Sequence, residues 1–316
     1  MGLPIDLKNE KRFKPGRQKQ RKYLKRYWQL YLLLLIPIAY FLLFKYCPMY
    51  GIIIAFKEYN IFQGVFKSPW VGLDVFKEVF RTQEFYTAFR NTFVLNFLDL
   101  LFSFPAPIIL AIIINELKSK VYKRSIQTVL YLPHFLSWVI IAGMSFQLFA
   151  SRGIVNNIIL KMGGEAIPFL TEKNDWLVVY LTSGVWQSMG WGTIIYLAAM
   201  AGINSELYEA AIVDGANRFR RIWHITLPGI KPTIVILLIL ALGKIPEIGF
   251  ERPYSMGNAF VRDYSEVLST YVYRVGLQSF RFNVATAVGL FQSIIGVTFL
   301  SLTNFIANKL GEEGVW

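Results

Sequence analysis

The chain has 316 residues, 54% of them hydrophobic and 17% charged, with a formal net charge of +13. That makeup is too apolar for an ordinary soluble domain. A single cysteine, Cys47, with His134 and His224 as the two histidines, excludes an intrachain disulfide and leaves no set with metal-ligand spacing.

Ten Lys and Arg lie in the first 26 residues, directly before the first apolar run, so the positive charge reads as a membrane flank and not as a nucleic-acid surface. The run from Tyr27 to Tyr46 reads as a retained first span. Its charged region is long for a secretory signal, Pro37 interrupts it, and Tyr46-Cys47-Pro48 lacks a small-residue cleavage pattern.

Further spans are expected at Asn91 to Asn115, Ser125 to Ala150, Trp176 to Gly202, Pro232 to Phe250 and Asn283 to Asn308. At about 1.5 Å per residue, roughly 20 residues cross the hydrocarbon layer. The fifth is interrupted by Lys244, Pro246 and Glu247. Between the first and second spans, Leu73, Phe76 and Phe80 recur at helical spacing among charged residues, which predicts a helix along the bilayer surface.

Counted on alternate sides of six spans, one side holds 19 Lys and Arg against 12 on the other, mostly because of the N-tail. Both termini are therefore expected in the cytoplasm. The chain divides into a basic cytoplasmic N-tail (1–26), a first transmembrane helix with an external segment (27–90), a transmembrane core (91–308) containing a cytoplasmic loop (203–231), and a cytoplasmic C-tail (309–316). No internal repeat supports the inverted halves of many secondary transporters.

The loop between the fourth and fifth spans is too ordered for a linker. Asn204 or Ser205 can cap a helix whose first turns carry Glu206 and Glu209, where the helix dipole favours acids. Small Ala210 and Ala211 allow close approach of another surface, Gly215 permits a tight turn, and Arg218, Arg220 and Arg221 follow. Pro228 and Pro232 suit a bend into the fifth span.

Glu209-Ala210-Ala211, then Gly215, then Ile225-x-Leu227-Pro228 resemble, in spacing and identity, the EAA loop of permeases in binding-protein-dependent ABC importers. Lys45 to Gly51, Phe56-Lys57, Ser68 to Gly72 and Leu268 to Arg274 extend the resemblance to the LplB and YtcP type of oligosaccharide permease; Lys244 to Phe260 departs from it.

The resemblance implies an all-α integral membrane protein of the ABC importer type I permease fold, with six transmembrane helices, in the bacterial cytoplasmic membrane. It implies that the loop docks in a groove of an ATPase subunit, through Glu209, Ala210, Ala211, Asp214 and Gly215 with Arg218 beyond, and that Leu227 and Pro228 set the return into the membrane. The partners it implies are a second permease subunit forming a heterodimer, two ATP-binding subunits, an extracellular solute-binding protein and an oligosaccharide substrate.

No Gly-x-x-x-x-Gly-Lys-Ser/Thr loop occurs in the chain, so ATP and Mg belong to a partner and no cofactor is expected here. Asp99, Lys244 and Glu247 should face a bundle interior or a wet cavity, either as part of a path or as structural pairs. Trp186, Gln187 and Trp191 offer apolar faces and hydrogen-bonding groups suited to sugars, or plain helix packing, and Asn96 and Gln292 serve either a path or interhelical bonding. An ion-coupled carrier using Asp99, Lys244 and Glu247 is the alternative. A membrane enzyme ranks last, because the carboxylates are scattered.

Overall fold

The computed structural model describes residues 26–309, so most of the expected N-tail and C-tail lies outside the described residues. The chain divides into a unit ending at Ile53 and a unit beginning at Ile54.

In the first unit, α1 (Trp28–Phe41) continues through a π-helical turn at Leu42–Tyr46 and a short α-turn at Cys47–Met49. Its sequence is apolar on every side, as suits a helix surrounded by lipid. The N–H of Cys47 reaches back to the carbonyl of Leu42, five residues earlier. This widened turn immediately precedes Pro48, which has no N–H and would crowd the carbonyl four residues before it.

The second unit holds α2 (Asp74–Val79), α3 (Gln83–Ser103), α4 (Pro105–Asn115), α5 (Lys120–Tyr131), α6 (Trp138–Phe149), α7 (Ile154–Lys161) and α8 (Lys173–Ala201). It continues with α9 (Ser205–Val213), α10 (Arg218–Arg221), α11 (Leu227–Gly243), α12 (Glu251–Met256), α13 (Arg262–Ser265), α14 (Leu268–Tyr273) and α15 (Phe282–Lys309). Among the described residues there is no strand, only an isolated bridge between Lys57 and Trp70.

Among the described residues, five helical stretches are long and apolar enough to cross a membrane: Trp28–Phe56, Gln83–Asn115, Trp138–Lys161, Arg218–Gly243 and Phe282–Ile306. The expected fourth span, α8, is 29 residues long and is not among them. Its centre, Trp186-Gln187-Ser188-Met189-Gly190-Trp191-Gly192, dilutes the hydropathy that its length would otherwise carry.

Helix boundaries differ from the sequence reading in three places, each for a local reason. The expected third span is split: α5 ends in a 3₁₀ turn at Leu132–Phe135, and α6 starts afresh where the Ser137 hydroxyl accepts the Ile140 N–H at 3.4 Å. Pro133 ends the ladder and Ser137 caps a new one. The expected fifth span begins and ends earlier, because the helix runs without a break through Pro228 and stops at Gly243, shortly before Pro246. A π turn at Ile222–Thr226, closed from the Leu227 N–H to the Ile222 carbonyl, carries the helix past the proline. Finally, α2 is present, but it buries Val75 and Val79, while Leu73 stays exposed.

Three buried clusters hold the second unit. One joins α2, the start of α3, α14 and the start of α15 through Val79, Phe85, Leu268 and Val288. The next joins the middle of α3 to α6, α8 and α12 through Leu95, Ala142, Trp176, Tyr180 and Met256. A third joins α4, the C-terminal half of α8 and α11 through Ala111, Tyr196, Met200 and Ile230. Ile294, Val297, Leu302 and Phe305 of α15 remain exposed, an apolar face left for lipid or another subunit.

Candidate functional site

α9 is nine residues long and none of its residues is buried. Its ends are nevertheless well determined. The Asn204 side chain accepts the Glu206 N–H at 3.0 Å, and Gly215 sits at φ +73° just past the C-terminus. Ala216 N–H bonds the Ala211 carbonyl at 2.8 Å and Gly215 N–H bonds the Ile212 carbonyl at 3.0 Å, which is a Schellman closure. Asn217 then caps α10 by accepting the Arg220 N–H at 2.9 Å.

The rod is fastened to the core through one of its own side chains, and α10 beyond it through an ion pair. The Tyr208 hydroxyl lies 3.0 Å from Thr226 Oγ1 in the π turn, and Arg218 lies 3.9 Å from Glu116 after α4. Glu209, Ala210, Asp214, Gly215, Arg218 and Pro228 are exposed, and Ala211 and Leu227 are half-buried. Exposed with them are Leu207, Ile212, Val213, Phe219 and Trp223. A helix this short is marginal alone in water, so a preformed rod with apolar side chains turned outward is suited to be covered by another surface.

A cavity of about 290 Å³ lies between α3 and the C-terminal end of α11, lined in part by Asn96, Asp99, Lys244 and Glu247. Four of the sequence-predicted path residues thus come together. Asn96 donates to the Ile245 carbonyl at 2.6 Å, and Gln292 of α15 to the Pro246 carbonyl at 3.3 Å, so both amides brace the turn that carries Lys244 and Glu247. Lys244 and Glu247 are exposed and form no ion pair with any described residue.

Asp99 is paired with Arg252 of α12, Nη1 to Oδ1 at 2.8 Å, a residue the sequence reading did not single out. The same guanidinium donates to the Tyr180 carbonyl at 2.7 Å and lies 3.9 Å from the Tyr180 ring centre and 5.0 Å from that of Trp138. Gly184 makes the space: a Cβ there would stand 2.1 Å from Arg252 Nη2. Asp99 and Arg252 are 153 residues apart, and no local pattern links them.

Trp186, Gln187 and Trp191 do not line that cavity. Trp186 borders an apolar cavity of about 450 Å³ with Phe102 and Leu181. Trp191 stacks on His134 at 4.6 Å between ring centres, and Gln187 donates to the His134 carbonyl at 3.3 Å, so these two pack the α5–α6 connection against α8. The backbones are close there: a Cβ on Gly190 would meet the Leu130 carbonyl oxygen at 1.9 Å. Among the described residues no group of three or more His, Cys, Asp or Glu could hold a metal.

Residues 103–310 match the family described as binding-protein-dependent transport system inner membrane component. Protein LplB of Bacillus subtilis (strain 168) is 47% identical over 93% of this chain and 92% of its own length. The polygalacturonan/rhamnogalacturonan transport system permease protein YteP of the same organism is 45% identical over 94% and 91%. Among solved structures, a chain of a bacterial ABC transporter involved in the import of the acidic polysaccharide alginate superposes with a TM-score of 0.84 at 41% identity, over 92% of this chain and 99% of that one. The same similarity, TM-score 0.84 over 93% and 99%, holds for the alginate transporter in complex with an alginate pentasaccharide-bound periplasmic protein.

Proposed function

The chain belongs to the family of binding-protein-dependent transport system inner membrane components, a multi-pass, non-catalytic permease subunit of the ABC sugar-importer class, and from that premise we propose that α9 couples it to an ATPase. The observation that carries this reading is the rod itself, capped at both ends, turned outward, and tied to α11 through Tyr208 and Thr226. In this account the rod sits in a groove of an ATP-binding subunit. Closure of two such subunits around ATP moves the groove, and α9 passes the motion to α11 as a rigid body, shifting the balance of inward-open and outward-open states.

The reading includes six crossings with α8 as the fourth, both termini in the cytoplasm, a second, different permease chain completing the path, and an extracellular binding protein delivering the sugar. It keeps the four divisions of the chain at 26/27, 90/91 and 308/309. The substrates are oligosaccharides cut from polysaccharides; the names of the relatives favour acidic ones. The cavity of Asn96, Asp99, Lys244 and Glu247 is the stretch of path this subunit contributes, with Gln292 supporting its wall. Trp186, Gln187 and Trp191 belong to the helix packing around it. An autonomous ion-coupled carrier is not favoured, because Arg252 already neutralises Asp99 and the outward rod has no role in it.

The test is sugar-stimulated ATPase activity of the reconstituted transporter carrying Glu209→Arg. Loss of stimulation, with assembly intact, is the expected result. Full stimulation in the variant removes the proposed coupling.

A further inference from the structure

At the end of the second unit where α12, α13 and α14 meet, a concavity of about 210 Å³ is lined in part by Tyr254, Asn258, Arg262, Glu266, Tyr273 and Arg274. It is separate from the cavity at Asp99. Its two arginines are differently placed. Arg274 bonds Glu266 and Glu84, each at 2.6 Å, and the Glu266 hydrogen bond raises the pKa of its already basic guanidinium. Arg262 is exposed and has no ion-pair or hydrogen-bond partner for its side chain among the described residues. Counted with Glu84, the two arginines and two carboxylates balance, but both carboxylates are taken by Arg274, which leaves Arg262 as the guanidinium with no ion-pair partner.

Beside it stands an aromatic platform. Tyr254 is 49% exposed, stacks on Phe250 at 4.7 Å, and meets the Tyr273 ring edge-on at 5.2 Å. A tyrosine phenol is ordinarily protonated at neutral pH, and the neighbouring Tyr273 raises that of Tyr254 further, so the platform is neutral. Sugar rings lay an apolar face on an aromatic ring and hydrogen-bond through their hydroxyls, and a guanidinium matches a carboxylate with two parallel bonds. The volume is below the roughly 300–1,000 Å³ of a drug-sized pocket, which suits one sugar unit of a longer chain.

We propose that this concavity is a subsite for a uronate unit of an acidic saccharide, with Arg262 binding the carboxylate and Tyr254 supporting the ring. The inference rests on the reading of the chain as a sugar permease and deepens it. Glu84 in the first turn of α3, and Arg281 just before α15, paired with Glu78, place the concavity at the membrane face that the proposed orientation makes external. That is the side from which sugar is delivered. A protein carboxylate would be served by the guanidinium alone and would leave the aromatic platform without a function.

The test uses the whole transporter in nanodiscs, titrated with trigalacturonate and with its neutral methyl ester. Arg262 is exposed, so Arg262→Gln removes no packing. The variant is expected to weaken trigalacturonate binding roughly tenfold, the size of one charge-assisted contact, and to leave the ester unchanged. Arg262→Lys is expected to fall between, and Tyr254→Ala to weaken both ligands. Equal trigalacturonate affinity in Arg262→Gln, no binding by the unmodified complex, or a variant that loses only its affinity for the binding protein overturns the proposal; the last assigns the cavity to a protein carboxylate. Binding-protein-stimulated ATPase activity, measured on the same preparation, reports separately on the importer reading.

Discussion

Asp99 on α3 and Arg252 on α12 are joined at 2.8 Å across 153 residues of sequence, and the arginine is the more buried partner at 12% exposure against 31%. The pair fastens the segment after α11 to α3 and α8, beside the cavity assigned to the path. Arg252→Gln leaves Asp99 without its cation. A loss of about 1–3 kcal/mol is expected, toward the lower part of the range for broken charged pairs because Asp99 still faces a cavity. Thermal unfolding in detergent checks this, and adding Asp99→Asn should recover part of the loss.

Two glycines of α8 separate a soft contact from a hard one. Gly184→Ala meets the end of the Arg252 side chain at 2.1 Å, which can swing away at the cost of its bonds. Gly190→Ala meets backbone oxygen of Leu130 at 1.9 Å, which cannot give without separating two helices. Both should destabilise by about 1–3 kcal/mol or more, with Gly190→Ala the worse, read as the fraction of correctly assembled membrane protein.

Gly215→Ala isolates backbone conformation from packing. Nothing lies within 4 Å of its absent Cβ, but its φ of +73° disfavours any other residue. A cost of about 1 kcal/mol is expected at the end of α9, with Gly215→Asn milder. Hydrogen exchange of the α9 amides should rise while that of α8 stays the same.

Phe280 takes the opposite position: a bulky residue at φ +56°, 69% exposed, where the Arg281 N–H closes a turn onto the Val275 carbonyl. Phe280→Gly relieves that conformation and should raise stability by up to about 1 kcal/mol, measured as a shift in thermal midpoint.

Five of the expected apolar stretches and the short helix α9 were legible in the sequence because both are local. Hydropathy runs reveal apolar helices, and Asn204, Glu209, Ala210, Ala211 and Gly215 lie within a dozen residues of each other. Pro228 did not mark the start of the fifth span, because a π turn before a proline lets a helix continue past it, as at Pro48. Pro133 and Ser137 did carry the signal that splits the third span: a proline followed four residues later by a capping serine. Arg252 carried none, since its meaning depends on Asp99, Tyr180 and Gly184 converging from distant segments.

Disulfide crosslinking during turnover tests the coupling account most directly. Val213, 86% exposed at the tip of α9, is replaced by Cys in a Cys47→Ser background and paired with a cysteine in the groove of the ATP-binding subunit. Crosslinks that form with and without ATP, at a site that an impermeant outside reagent fails to label, are the expected result. Labelling from outside, or a rod that stays free of the ATPase throughout the cycle, contradicts the account.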